Sequence, residues 1–355
     1  MKVKSYIFES GSKLEDLDFV PNLAFIFFEK EDILLESYHF LKDKNPTMEI
    51  IGINGKNANI NNQIPFIINN SKVSLLLFEI DDFFIQTYSL ESFKNTKVLF
   101  SQDYNKFQKT TSIIFFPFKH DANNFLDAIQ DKNSMHNIYG GVYDDSNIGC
   151  FYKGKFFNDK LISVFFNQEM IEFFSIAVHG WEPVGLSFKV TKSYKNVVYE
   201  IDNAPALEVI EEYMGEISQE NIDSFLHPFC VEHNKEKSLA SIKEINRKDN
   251  SIEFYKYIYE NQHLRITIPS SQKNMMNLIE KLLKKVQCDG LFMFSCVGRY
   301  AYYKDLLEFE IEKVATYLDV PFAGFLTYGE IGSNNIHTKS ILQNQTMNLV
   351  FFRGK

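Results

Sequence analysis

The stretch IYGGVYDDSNIGCFYKGKFFNDKLISVFFN, residues 138–167, decides the fold class. It reads as three short apolar strands joined through Gly149 and through Lys153-Gly154-Lys155. Glycine-centred turns between short β-rich runs are hairpin signals, and hairpins build antiparallel sheets. Upstream, strands and helices alternate. LAFIFFE (23–29), EIIGIN (49–54), VSLLLFEI (73–80) and SIIFFPF (112–118) are short apolar runs with polar borders, and Pro117 suits a strand end. EDILLESYHFLKD (31–43) and ANNFLDAIQDK (122–132) carry helical periodicity. Hairpins beside strand–helix alternation favour α+β over a doubly wound parallel sheet.

Working outward, HGWEPVG (179–185) reads as a turn-rich segment between halves, followed by a hairpin about Lys195-Asn196. Asp202 or Asn203 is the expected cap of the next helix, with Pro205 in its first turn and Gly215 at its end. The second half offers strands at SIEFYKYIYE (251–260), LRITIP (264–269), GLFMFSC (290–296), VPFAGFLTYGEIG (320–332) and NQTMNLVFF (344–352). Helices are expected at SSQKNMMNLIEKLLKKVQ (270–287) and YKDLLEFEIEKVATYLD (303–319). The expected architecture is two α+β domains, 1–203 and 204–355, each a mostly antiparallel sheet layered with helices. No internal repeat of solenoid length and no long low-complexity tract is visible.

The totals suit that architecture. A chain of 355 residues exceeds one small core, and 45% hydrophobic with 23% charged residues is an ordinary globular balance. A net charge of −9 argues against nucleic acid as a partner, because there is no basic surplus to neutralise phosphates. The N-terminus MKVKSYIFESGSKLEDLD lacks a signal-peptide core, no stretch approaches membrane-span length, and four cysteines make no disulfide framework. The chain therefore reads as cytoplasmic, without membrane insertion.

Polar residues directly after buried strands are the candidates for chemistry, since rigid strand ends place side chains well. FMFSCVGRYAYY brings Ser295, Cys296, Gly298 and Arg299; FLTYGEIG brings Thr327, Tyr328 and Glu330. Arg299 is able to hold a carboxylate bidentately while Glu330 or Glu308 receives an ammonium. The competing reading is an internal Arg299–Glu308 or Arg299–Glu330 ion pair. His179 precedes the sole tryptophan, Trp181, and is a candidate metal or haem ligand or, more plainly, a hydrogen-bonded structural residue. His227, Cys230 and His233 form a sparser set with no matching second ligand pair nearby. Cys296 with His337 or His179 is a thiol-catalysis option, and Asp144-Asp145 a cation option or a polar turn. No nucleophile elbow, P-loop, dinucleotide fingerprint or HExxH is present.

The succession YGGVYDD (139–145), HGWEPVGLSFKVTKS (179–193), NVVYEIDNAPALEV (196–209), FSCVGRY (294–300), PFAGFLTYGEIG (321–332) and NQTMNLV (344–350) resembles FIST proteins, named for F-box and intracellular signal transduction. The resemblance covers most of the chain, an N-terminal FIST and a C-terminal FIST_C domain. It implies a non-catalytic bacterial sensory protein that binds an amino acid or related metabolite. The partner it implies is a separate signalling protein: a histidine kinase, chemoreceptor or cyclic-di-GMP enzyme. Some relatives bind haem and sense nitric oxide, which here would fall to His179. On this resemblance Arg299 holds an anionic group, Glu330 a cationic or hydroxyl donor, Tyr328 and Trp181 form walls, and Ser295 and Thr327 complete the pocket. Residues 50–60, IIGINGKNANI, keep Gly52 but depart from the family's small-hydroxyl and acidic turn.

Overall fold

The computed structural model describes residues 1–12, 17–55, 71–130, 137–145, 148–217, 227–233, 236–333 and 339–355, apart from the side chains at 233, 236 and 303–308. The chain divides into two compact units. Residues 1–178, 276–342 and 347–355 form the first, and residues 179–275 and 343–346 the second. The expected division at 203/204 falls inside the second unit, where strands on either side of it pair with one another.

One topology, used three times, builds the first unit. The first module is β1 (Lys2–Glu9), β2 (Leu23–Phe28), α1 (Glu31–Lys44), β3 (Glu49–Asn54) and β4 (Lys72–Glu79). Its strands lie in the order β1-β4-β2-β3. The β1–β4 and β4–β2 pairs are antiparallel, and β2–β3 is parallel, with α1 as the crossover that a parallel pair requires. The second module comprises β5 (Phe83–Ser89), α2 (Phe93–Tyr104), β6 (Thr110–Pro117), α3 (Ala122–Ile129), β7 (Asn137–Tyr143), β8 (Cys150–Tyr152), β9 (Lys155–Phe157) and β10 (Lys160–Asn167). It repeats the order as β5-β10-β6-β7, with α3 crossing between parallel β6 and β7. Strand β11 (Ile171–Val178) opens the third module, and the second unit then interrupts it in sequence.

The second unit holds β12 (Trp181–Tyr194), β13 (Val197–Ile201), β14 (Ala204–Pro205), α4 (Ala206–Met214), β15 (Phe229–His233), β16 (Glu236–Ala240), β17 (Ile242–Asn246), β18 (Ser251–Phe254) and β19 (His263–Pro269). Its strands run β16-β15-β19-β12-β13-β18-β17, and every pair described is antiparallel. Phe188, Val190, Val198, Ile201 and Leu264 pack against Leu207 and Ile210 of α4 in its core. The hairpin about Lys195 forms as expected, with Tyr194 opposite Val197. From Trp181 onward HGWEPVG is not a turn but the start of β12. Its Gly185, at φ +67°, sits in a register shift between Pro183 and Ser187, so the glycine and proline mark a bulge within a strand. Asp202 and Asn203 form a positive-φ turn, and Pro205 takes the N-cap position without a side-chain cap.

The chain returns through α5 (Gln272–Leu283), which Ser271 caps by accepting from the Asn274 N–H. The third module is completed by β20 (Gly290–Cys296), α6 (Val297–Leu318), β21 (Phe322–Thr327), β22 (Glu330–Gly332), β23 (Ile341–Gln343) and β24 (Met347–Gly354). Its order β11-β24-β20-β21, with β20–β21 parallel about α6, matches the other two modules.

Strands between the third and last positions of a module extend a neighbour's sheet. β8 and β9 add to β3, and β22 adds to β7. The run 138–167 therefore contains four strands rather than three. Lys153-Gly154 does turn a hairpin, but the chain changes sheet across Gly149.

The three sheets turn one face each into a shared core. Phe25 and Phe27, Ile113 and Phe115, and Phe292 and Phe294 occupy equivalent positions in it. Ring centroids lie 6.2 Å apart for Phe27–Phe115, 6.2 Å for Phe115–Phe294 and 4.9 Å for Phe25–Phe292. Each such ring stabilises the unit by about 1.5–3 kcal/mol through burial alone. Helices cover the outer faces: α1 lies over Ala24, Ile26 and Phe28, and α3 over Ile114 and Phe116.

Candidate functional site

Burying a charge is costly unless it is paired, so buried charges single out places where packing alone did not choose the residue. In the third module Ser295, Arg299, Glu310, Thr327, Glu330 and Asn348 are all fully buried. Ser295, Arg299, Thr327 and Glu330 stand at or just beyond the carboxyl ends of the parallel strands β20 and β21, where Cys296 is in register with Thr327, while Glu310 comes from α6 and Asn348 from β24. Open α/β sheets place their ligands beyond such strand ends.

Each side chain is positioned by a specific element. β20 runs straight into α6, with Cys296 as the N-cap residue, so Val297, Gly298 and Arg299 form a first helical turn rather than the expected loop. Arg299 Nη2 donates to Glu310 Oε1 at 2.5 Å. Eleven residues rise about 16 Å along a straight helix, well beyond the i+3 and i+4 neighbours that meet on one face, so helical periodicity does not by itself bring Glu310 to Arg299. The internal ion pair is thus present, and this bond joins Arg299 to Glu310 rather than to Glu330; the Glu308 side chain lies outside the described residues. Sequence reasoning missed Glu310, because an i to i+11 spacing lies outside the i+3 and i+4 pairs that meet along a helix.

After β21 the chain turns sharply at Tyr328-Gly329. The Tyr328 N–H donates to the Val142 carbonyl, and the Val142 N–H to that of Gly329. Glu330 then enters β22 opposite Gly141, and its Oε1 accepts from the Thr327 hydroxyl at 2.6 Å. A Cβ on Gly141 would meet Thr327 Cγ2 at 2.6 Å, so this approach needs a glycine. Tyr328 is half-buried, with its ring 4.5 Å from that of Phe118 and its hydroxyl donating to Asp144 at 3.3 Å. Asp145 accepts from the Lys119 N–H at 2.8 Å. The Asp144-Asp145 pair is therefore engaged in fastening β7, β6 and the β21–β22 turn.

The other candidates lie in the second unit. Trp181 is buried, with its ring 5.1 Å from that of His227. His179 Nδ1 accepts from the Trp181 N–H at 3.4 Å, and His227 Nδ1 lies 3.4 Å from the Thr267 carbonyl. Burial, with the nearby Glu232 carboxylate, pushes the Cys230 thiol up to about 11, so it is held as a thiol at neutral pH. No group of three His, Cys, Asp or Glu residues converges among the described residues. Two clefts, of about 390 Å³ beside Glu9, Asp32 and Glu36 and about 660 Å³ beside Tyr199, Arg247 and Glu253, do not include His179. His337 and residues 56–60 of the divergent turn lie outside the described residues, whereas Gly52 is packed tightly beneath Leu34 and against Phe151.

No helix among the described residues is long and apolar enough to cross a membrane. An uncharacterized protein of Methanocaldococcus jannaschii is 25% identical over 254 residues, covering 61% of this chain. The match covers 49% of that protein, so the chain spans about half the length of the curated relative. Family profiles match twice: the FIST N domain over residues 22–204 and the FIST C domain over residues 206–333. With both profiles in order along its length, the chain belongs to the FIST family, whose domains are signal-transduction sensory domains.

Proposed function

We propose that the protein senses a small polar metabolite, an amino acid or a close relative, in its third module and reports it to a separate signalling protein. A histidine kinase, a chemoreceptor or a cyclic-di-GMP enzyme is the class of partner. The observation that carries this reading is the fully buried Arg299–Glu310 pair at the carboxyl ends of β20 and β21. Well-packed hydrophobic residues usually serve stability as well as or better than a buried ion pair. Its presence here fits a site where the guanidinium takes a ligand carboxylate and Glu310 or Glu330 an ammonium. Signalling then needs the ligand to favour one of two arrangements of the module.

The test is a calorimetric and thermal-shift screen of amino acids against the wild type and the double variant Arg299→Met, Glu310→Leu. Saturable binding to the wild type and none to the folded double variant is the expected result. Equal binding by both, or silence of the wild type across the screen, would reject this ligand site.

A further inference from the structure

The threefold topology allows corresponding residues to be compared. Ile26 is in register with Gly52, Ile114 with Gly140 and Met293 with Gly324, one such pair in each parallel ladder. Counted from these anchors, Phe28 and Phe116 stand where the third module has Ser295, on the strand face turned away from the shared core. More differences fall on the core face. Three residues beyond the glycine anchors, Tyr143 of the second module corresponds to Thr327 of the third. On the strand that each of these modules adds to a neighbour's sheet, Cys150 and Tyr152 correspond to Glu330 and Gly332. On the last strand, opposite the equivalent rings Phe115 and Phe294, Ile162 corresponds to Asn348, and the first module has Ser74 there, opposite Phe27. Tyr143, Cys150, Tyr152 and Ile162 all belong to the shared apolar core. In place of two rings, a thiol and an aliphatic chain, the third module has a threonine, a glycine, a carboxylate and an amide.

Contacts tie these four residues to one strand. The Thr327 hydroxyl donates to Glu330 Oε1 at 2.6 Å. Asn348 Nδ2 donates to the Ile331 carbonyl at 3.0 Å. A Cβ on Gly332 would lie 2.3 Å from that Nδ2 and 3.3 Å from Asn348 Oδ1. Ile331 packs in the outer layer with α3, so Glu330 and Gly332 share the other face of β22, about 6.5–7 Å apart along the strand. The Asn348 amide thus lies over the strand face that carries Glu330, two residues along.

That amide is half used. Its Oδ1 is buried and makes no hydrogen bond among the described residues. The bond to Ile331 fixes which end of the amide is which, because the reverse orientation would set Oδ1 against a carbonyl oxygen. An unmet buried acceptor is destabilising, and Ile162 shows that an apolar side chain suits this position.

We infer that Asn348 is a ligand-contacting residue of the third module, its Oδ1 accepting from a primary ammonium whose charge Glu330 balances. The inference rests on the ligand reading above and assigns the ammonium to Glu330 rather than to Glu310, whose charge Arg299 already meets. Within a buried site a carboxylate about 7 Å away still stabilises a cation, since the interior screens weakly. Oδ1 accepts only, so it favours a cation with N–H groups over a quaternary one of equal charge.

Methylammonium, tetramethylammonium and acetate are the probes, read by thermal shift and ligand-observed NMR at constant ionic strength. The proteins are the wild type, Asn348→Ile and Asn348→Ser, the last two carrying the residues of the second and first modules. Methylammonium is expected to raise the wild-type Tm saturably and tetramethylammonium to leave it unchanged. Both variants should bind methylammonium about tenfold more weakly or worse, while their acetate response, which reports on Arg299, persists. Circular dichroism shows which variants are folded; the two differ in bulk, and the comparison of the two cations needs no variant. Equal methylammonium affinity in the wild type and a folded variant, with the acetate response intact, would overturn the role of Asn348 and leave the carboxylate site standing. So would an equal response to tetramethylammonium, since charge alone would then suffice. A purely structural role for the bond to Ile331 predicts a lower Tm in the variants and unchanged methylammonium affinity. Silence of the wild type towards all three probes rejects this inference and the ligand reading together.

Discussion

At the residue scale, Arg299 and Glu310 illustrate how a buried pair separates stability from function. Arg299→Ala leaves Glu310 buried without its partner and should lower the unfolding free energy by about 3–5 kcal/mol, whereas Arg299→Met with Glu310→Leu should cost little or stabilise. Urea titrations of the three proteins decide it: a double variant as unstable as the single one would mean that the pair itself holds the third module together. Glu29, just beyond β2, makes a pH prediction. Burial raises its carboxyl above the ordinary range, partly countered by Lys30. Its folded-state pKa therefore exceeds its unfolded value, and between the two the native state binds more protons. Stability falls as pH rises through that window and is least burdened by Glu29 below it. Glu29→Gln should accordingly be more stable than wild type at neutral pH, with the advantage vanishing near pH 4, as followed by melting temperature against pH.

At the scale of elements, the parallel ladders depend on glycines whose need is tertiary. A Cβ on Gly324 would lie 1.7 Å from the Met293 carbonyl oxygen, and one on Gly140 would lie 1.8 Å from that of Ile114. These are corresponding positions in two modules, and neither neighbour is a flexible side-chain end. Gly324→Ala and Gly140→Ala should each destabilise by upward of about 2 kcal/mol through displacement of the paired strand. Unchanged denaturation midpoints would show that the ladders accommodate the methyl group. Other elements were readable in advance because their pattern is local. LAFIFF, SIIFFP and GLFMFSC are buried strands by composition, and α5 is legible from Met275, Leu278, Ile279 and Leu282, of which Met275 and Ile279 are buried while Leu278 is exposed and Leu283 joins the core face instead. Helix α2 was not: Thr96, Phe100 and Tyr104 are buried at four-residue spacing, but Val98 and Leu99 are half-exposed and blur the apolar stripe.

At the scale of the whole molecule, the two family-profile segments are not the two compact units. Strand β11, the second module and the first module from β2 onward lie in the FIST N segment, while β20, α6 and β21 lie in the FIST C segment. The aromatic core draws on both, through contacts such as Phe25–Phe292 and Phe27–Phe325. Fragments 1–204 and 205–355 made separately should therefore fail to fold, and should recover native circular dichroism and cooperative melting only when combined. A cooperative transition in isolated 1–204 would mean that two modules suffice for the core. Strand β11 pairs with β24, and β20 lies on the other side of β24, so the third sheet cannot form from either fragment.

The amino-acid sequence by itself determined the α+β class, most strands and helices, the family and the strand ends where buried polar residues gather, because hydrophobic period, turn chemistry and short motifs are local. Only the tertiary structure decided the threefold topology, the four-strand course of 138–167 and the partner of Arg299. Equivalent modules share strand order and facing pattern rather than residues, with Phe28, Phe116 and Ser295 in one position, so no repeat is legible along the chain. Sheet order and a salt bridge across three helical turns are set by which faces meet in space, and it was that meeting which turned Ser295 from one more strand residue into the odd member of a set of three.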